Sequence, residues 1–133
     1  MQYLIAYIAT LIVFFIIDFI WLGTVAQSFY QKQIGPLLLD EFRIGVAAAF
    51  YSVYIIGIVY FAIRPALEAN NLGLALLNGA LFGFFCYATY DFTNLATLKG
   101  YTTTVALVDI TWGTFLTASS AFLGAWITRA ISG

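Results

Sequence analysis

The chain has 133 residues, 63% of them hydrophobic, 19% aromatic and only 8% charged, with a net charge of −1 and no histidine. A soluble domain carries roughly 45–50% apolar and about 25% charged residues, so this composition, with a mean hydropathy of +0.98, excludes an ordinary soluble fold and indicates an integral membrane protein. The near-neutral charge excludes nucleic acid as a partner, and the lack of histidine with a single cysteine, Cys86, excludes His/Cys zinc sites, histidine-ligated haem and a disulfide framework.

A helical span needs about 20 mostly apolar residues. The first runs from about Tyr3 to Val25. Thr24-Val25-Ala26 loosely resembles a leader cleavage site, but no Lys or Arg precedes the run, Asp18 interrupts it, and it is too long for a secretory leader. It therefore reads as a transmembrane helix. A polar break follows from Gln27 to Arg43, containing Lys32, Gly35-Pro36 and Asp40-Glu41, with Leu37-Leu38-Leu39 suited to the membrane surface. The second span covers about Ile44 to Ile63, and Arg64-Pro65 marks its end, since proline disfavours helix at the residue before it. Glu68-Ala69-Asn70-Asn71 forms a short turn. The third span runs from about Leu72 to Tyr90, a connection covers Asp91 to Thr102, and the fourth span runs from about Thr103 to Thr128. The expected fold is all-α: one transmembrane domain over residues 1–133, with four helices and short loops. Cys86, between Phe85 and Tyr87, reads as a buried small hydrophobe.

Four spans place both termini on one side. The first and third connections carry Lys32, Arg43 and Lys99, and the other side carries Arg64 and Arg129. This bias leans towards cytoplasmic connections and periplasmic termini, and is small enough to allow dual insertion.

The most informative residues are three aspartates in or beside the spans: Asp18, Asp91 and Asp109. A carboxyl group in hydrocarbon costs roughly 2.5–3.5 kcal/mol on insertion scales, so it is kept where it pairs, titrates or lines a polar cavity. Asp18 approaches the end of the first span and Asp109 follows the start of the fourth. Both therefore lie roughly 10–15 Å below one membrane face, with Asp91 at that face. Asp18 and Trp21 share a helix face, as do Asp109 and Trp112, and Tyr87, Asp91 and Asn94 if the third helix continues. The expected ligand- or proton-binding residues are Asp18, Trp21, Tyr87, Asp91, Asn94, Lys99, Asp109 and Trp112.

Each residue has a plainer role to weigh against this one. Trp21 and Trp112 suit interface anchors, where tryptophan is enriched. Asp91 and Lys99 suit an exposed loop ion pair worth about 0–1 kcal/mol. Asp18 and Asp109 would also serve structurally, bonded to Tyr, Thr or Trp donors on neighbouring helices. Gly79-Ala80-Leu81-Phe82-Gly83 is a GxxxG pattern that lets helices approach closely, within the subunit or across a dimer seam.

The string from Tyr87 through Tyr90-Asp91, Asn94 and Lys99-Gly100-Tyr101, followed by Val108-Asp109-Ile110-Thr111-Trp112-Gly113, with Asp18-Phe19-Ile20-Trp21-Leu22-Gly23 near the start, resembles a bacterial family of predicted membrane proteins of unknown function. The resemblance covers the whole chain and implies a four-helix, multi-pass inner-membrane protein. It carries no activity with it.

No span contains a lysine for a retinal Schiff base, no serine has a histidine base, and no glycine-rich phosphate loop occurs. No cofactor or metal is expected. Three readings follow. The first is a small transporter or ligand-binding protein, with or without proton or cation coupling, acting as a homodimer because four helices enclose little volume. The second is a membrane-embedded enzyme acting on a lipid or isoprenoid, with Asp18 and Asp109 as its acid–base pair. The third is a non-catalytic subunit or assembly factor. The expected partners are the bilayer, a second copy and a small-molecule or lipid ligand.

Overall fold

The computed structural model describes residues 2–35 and 44–132, and every element among them is helical. Helix α1 covers Gln2–Trp21, a wide π-helical turn covers Leu22–Ala26, and α2 covers Gln27–Ile34. Helix α3 covers Ile44–Ile58, a second π turn covers Val59–Ile63, and α4 covers Arg64–Glu68. Helices α5 (Leu72–Thr97) and α6 (Thr103–Ser132) complete the chain. Four stretches are long and apolar enough to cross a membrane: Gln2–Thr24, Gly45–Glu68, Leu72–Thr97 and Thr103–Ser132. Helices suit this setting because each satisfies its own backbone hydrogen bonds without water. The protein is an all-α, multi-pass membrane protein.

Helix α6 is the hub. Thr117, Ser120, Thr128, Ala106, Leu116, Ala121 and Ala125 on it are fully buried. Large apolar side chains such as Ile8, Ile12, Phe50, Val53, Leu77 and Phe85 face outwards instead. Small residues inside and large ones outside suit a bundle whose solvent is lipid, where close packing drives association. The GxxxG glycines show this directly. A Cβ on Gly79 would lie 2.8 Å from Ala121 Cβ, and one on Gly83 would lie 2.6 Å from the Gly113 carbonyl oxygen and 2.7 Å from Thr117 Cβ. The pattern thus seats α5 on α6 within the chain. Helix α1 packs on another side of α6, where Gly124 accommodates Thr10.

Helix ends differ from the expected span ends, most of all in three places. The helix continues through Gln27–Ile34, because no proline or glycine breaks it before Gly35-Pro36; polar residues end a membrane span without ending a helix. The second span continues past Arg64-Pro65 to Glu68. Its π turn, closed by Arg64 N–H donating to the Val59 carbonyl, widens the helix just ahead of the ring. Helix α5 runs to Thr97, so Asp91 lies inside a helix rather than at the start of a connection. The expected features at Pro36, Leu37–Leu39, Asp40, Glu41 and Arg43 lie outside the described residues.

Candidate functional site

Helices α5 and α6 run antiparallel with a constant register. Gly79 meets Ala121, Gly83 meets Thr117, and Tyr87 lies over Gly113, each step four residues along both helices. One more step of four pairs Asp91 with Asp109, and their carboxyl groups do lie beside each other, close enough to interact. The side chain of Asp91 is fully buried. Its Oδ1 accepts a hydrogen bond from the Tyr101 hydroxyl at 2.5 Å, whereas its Oδ2 is buried without any hydrogen bond of acceptable geometry.

Asp18 reaches the same region from α1. Trp112 Nε1 donates to Asp18 Oδ1 at a long 3.4 Å, and the rings of Trp21 and Trp112 stack 4.4 Å apart at 12°. The two tryptophans expected as possible lipid anchors therefore pair with one another across α1 and α6. The charges of Asp18 and Asp109 are close enough to repel, and the hydroxyls of Tyr51 and Tyr87 lie within electrostatic reach of both. Below this layer, Tyr54 and Thr117 share a buried hydroxyl–hydroxyl bond of 2.8 Å, and the Tyr54 ring meets Tyr87 edge-on at 6.2 Å.

A short connection covers the site. Gly100 adopts φ +81°, the left-handed region that favours glycine, and this reverses the chain so that Tyr101 points back to Asp91. The Asn94 side chain lies close enough to the same phenol to influence it. Burial first, and the bond to Asp91 second, push the Tyr101 phenol well above its usual value, so it remains an un-ionised donor. The adjacent Thr102 caps α6 by accepting from Val105 N–H at 3.1 Å and donates to Gln33 Oε1 on α2 at 3.1 Å. The extended first helix is thereby tied to the cover of the site.

Of the eight residues expected from the sequence, Asp18, Trp21, Tyr87, Asp91, Asn94, Asp109 and Trp112 gather at this end of the bundle. Lys99 does not join them. It is exposed, and Asp91 takes its hydrogen bond from Tyr101, so the expected Asp91–Lys99 ion pair is replaced by a neutral donor two residues further on. Tyr51, Tyr101 and Gln33 were not expected. Tyr101 carried a usable signal, a hydroxyl directly after a glycine in a short connection. Tyr51 did not, being one aromatic among many.

Chemically, the cluster offers carboxyl groups, phenols and indoles, most of them half-buried around the fully buried Asp91. Among the described residues, no group of three metal-ligating side chains is arranged to hold a metal ion. Two adjacent carboxyl groups suit a shared proton or a single small positive charge.

No curated protein and no solved structure matches the chain. A family model described as "Predicted membrane protein" matches residues 3–126, nearly the full length. The chain belongs to that family, DUF2177.

Proposed function

We propose that this protein is a small membrane transporter or ligand-binding protein whose Asp91–Asp109 pair, with Asp18 beside it, takes up a proton. The supporting observation is Asp91 itself: fully buried, one oxygen bonded to Tyr101, the other without a hydrogen-bond partner, and a second carboxyl adjacent. An isolated charge in this position is costly, and a proton held between the two carboxyl groups removes one charge from the pair. Tyr101 holds one oxygen and leaves the other available. Four helices enclose little volume, so the reading includes a second copy of the chain as the opposite wall of any path.

Infrared spectroscopy and flux measurements together test the reading. Near neutral pH, the purified protein should show the carbonyl band of a protonated carboxyl group, and this should vanish in the Asp91→Asn, Asp109→Asn double variant. In liposomes with an internal pH dye and an imposed potential, wild type should move protons. Asp91→Asn should not, whereas Lys99→Gln should behave as wild type. An unchanged band in the double variant overturns proton binding. Equal flux in wild type and Asp91→Asn overturns coupling through this pair.

A further inference from the structure

At the opposite end of the bundle from the aspartates, an open-sided groove of about 310 Å³ runs between α1 and the second span, lined by Tyr3, Tyr7, Ile56, Val59, Tyr60 and Arg64. The Tyr7 hydroxyl donates to the Ser52 carbonyl at 3.1 Å and joins the two helices beneath it. From Arg64 to Ile56 the groove follows eight residues of helix, about 12 Å at about 1.5 Å each. Its exposed walls are almost entirely apolar, and Arg64 is the one charged residue among those that line it.

Arg64 is unusual in this chain. Its guanidinium carbon lies 4.2 Å from the centroid of the Tyr60 ring, and its Nε is buried without a protein acceptor. No carboxylate pairs with it among the described residues, and Glu68, one turn further on, is exposed. The stacking fixes the planar cation at the mouth of an apolar slot, near the end of a span, where headgroups lie. An unpaired guanidinium at the edge of such a slot suits a phosphate oxygen, which arginine binds with paired N–H donors.

We propose that this groove binds an anionic phospholipid, with its phosphate at Arg64 and part of an acyl chain over Val59 and Ile56. Charge complementarity selects this occupant: an unpaired cation suits a lipid of net negative charge, whereas the ammonium of phosphatidylcholine already offsets that lipid's own phosphate. An uncharged chain would leave the Arg64 donor unmet, and the apolar walls offer nothing to a soluble anion. The site is independent of the aspartate cluster and of any role assigned to it.

Full-length protein in micelles is supplemented with phosphatidylglycerol or with phosphatidylcholine of the same acyl chains. Thermal melting is recorded, and retained lipid is counted by native mass spectrometry. Wild type should retain more phosphatidylglycerol and show the larger upward shift with it. Arg64→Gln should abolish the difference between the lipids. Arg129→Gln, at the same end but bonded to Asn70, should preserve it. Val59→Trp, which fills the groove and leaves the charge in place, should abolish retention even if Arg64→Gln does not fold. Equal responses of wild type to both lipids, or lipid retention in Val59→Trp matching wild type, overturns the proposal. A loss of dimer in Val59→Trp with its lipid response unchanged overturns it in favour of a second copy of the chain.

Discussion

Replacing Tyr101 by phenylalanine removes one oxygen atom and tests the centre of the site. The hydroxyl is the donor to Asp91 Oδ1, and Asp91 is fully buried, so the variant leaves that oxygen without its donor. A hydrogen bond between neutral groups contributes about 0.5–1.5 kcal/mol and one to a charged group about 1.5–3 kcal/mol. Tyr101→Phe alone should therefore cost about 1–3 kcal/mol. A double-mutant cycle with Asp91→Ala separates this bond from packing changes, and its coupling energy should fall in the same range. Unfolding followed by tryptophan fluorescence supplies all four stabilities. A coupling energy within about 0.5 kcal/mol of zero, the scatter of independent sites, would refute the claim that Tyr101 holds Asp91. The pH dependence adds a second check. The folded phenol titrates above its ordinary value of 10.0, so its stabilising contribution is complete below that value and is lost as pH rises through the folded one. The stability difference between wild type and Tyr101→Phe should not shrink from about pH 6 to 9 and should shrink only beyond about pH 10. A difference that shrinks between about pH 6 and 9 contradicts the assignment.

Three further outcomes follow from the packing. Gly83→Ala forces a methyl group against the Gly113 carbonyl and Thr117, neither at the end of a flexible side chain, and should cost about 1–3 kcal/mol; Gly45→Ala, with open space around it, should be neutral or stabilising by up to about 1 kcal/mol. Single cysteines at Gln33, Asn70 and Lys99, in a Cys86→Ala background, should be labelled with Gln33 and Lys99 on one face and Asn70 on the other. Opposite faces for Gln33 and Lys99 would contradict four spans, and equal labelling from both faces would show dual insertion. In a double-mutant cycle, the coupling energy between Trp112 and Asp18 should be smaller than that between Tyr101 and Asp91, because the bond is long at 3.4 Å, and a larger coupling would show that this contact is stronger than its length implies.

The spans were legible because hydropathy reports the slab directly: four apolar runs can be buried only by crossing it. Helix ends were not, since a polar residue ends a span while only a breaker or a cap ends a helix. Residues 27–34 and 91–97 are polar enough to leave the hydrocarbon and contain neither glycine nor proline, so the helices continue. That continuation changes the site. Asp91 is a helix residue facing α6, and the cover begins only at Leu98. Tyr101 was visible as a hydroxyl directly after a glycine, but its direction was not: that depends on the positive φ of Gly100, which composition and periodicity do not encode.

More was present in the sequence than the depth of the aspartates. Gly79, Gly83, Tyr87 and Asp91 recur every four residues, and so do Asp109, Gly113, Thr117 and Ala121 in the opposing helix. Read antiparallel, the two series mesh: glycine against alanine, glycine against threonine, tyrosine against glycine, aspartate against aspartate. The first three pairings are steric, each setting a small residue where the partner helix needs room. They leave the fourth almost no freedom, because a rigid helix seated at three successive turns must present its next turn to its neighbour. The two carboxyl groups meet because the close packing below them fixes the register. Enlarging Gly83 should therefore disturb Asp91 and Asp109 as well as lower stability, and proton uptake in Gly83→Ala is the measurement that reads this coupling. Uptake identical to wild type in a clearly destabilised Gly83→Ala would show that the carboxyl pair keeps its geometry without the glycine contact.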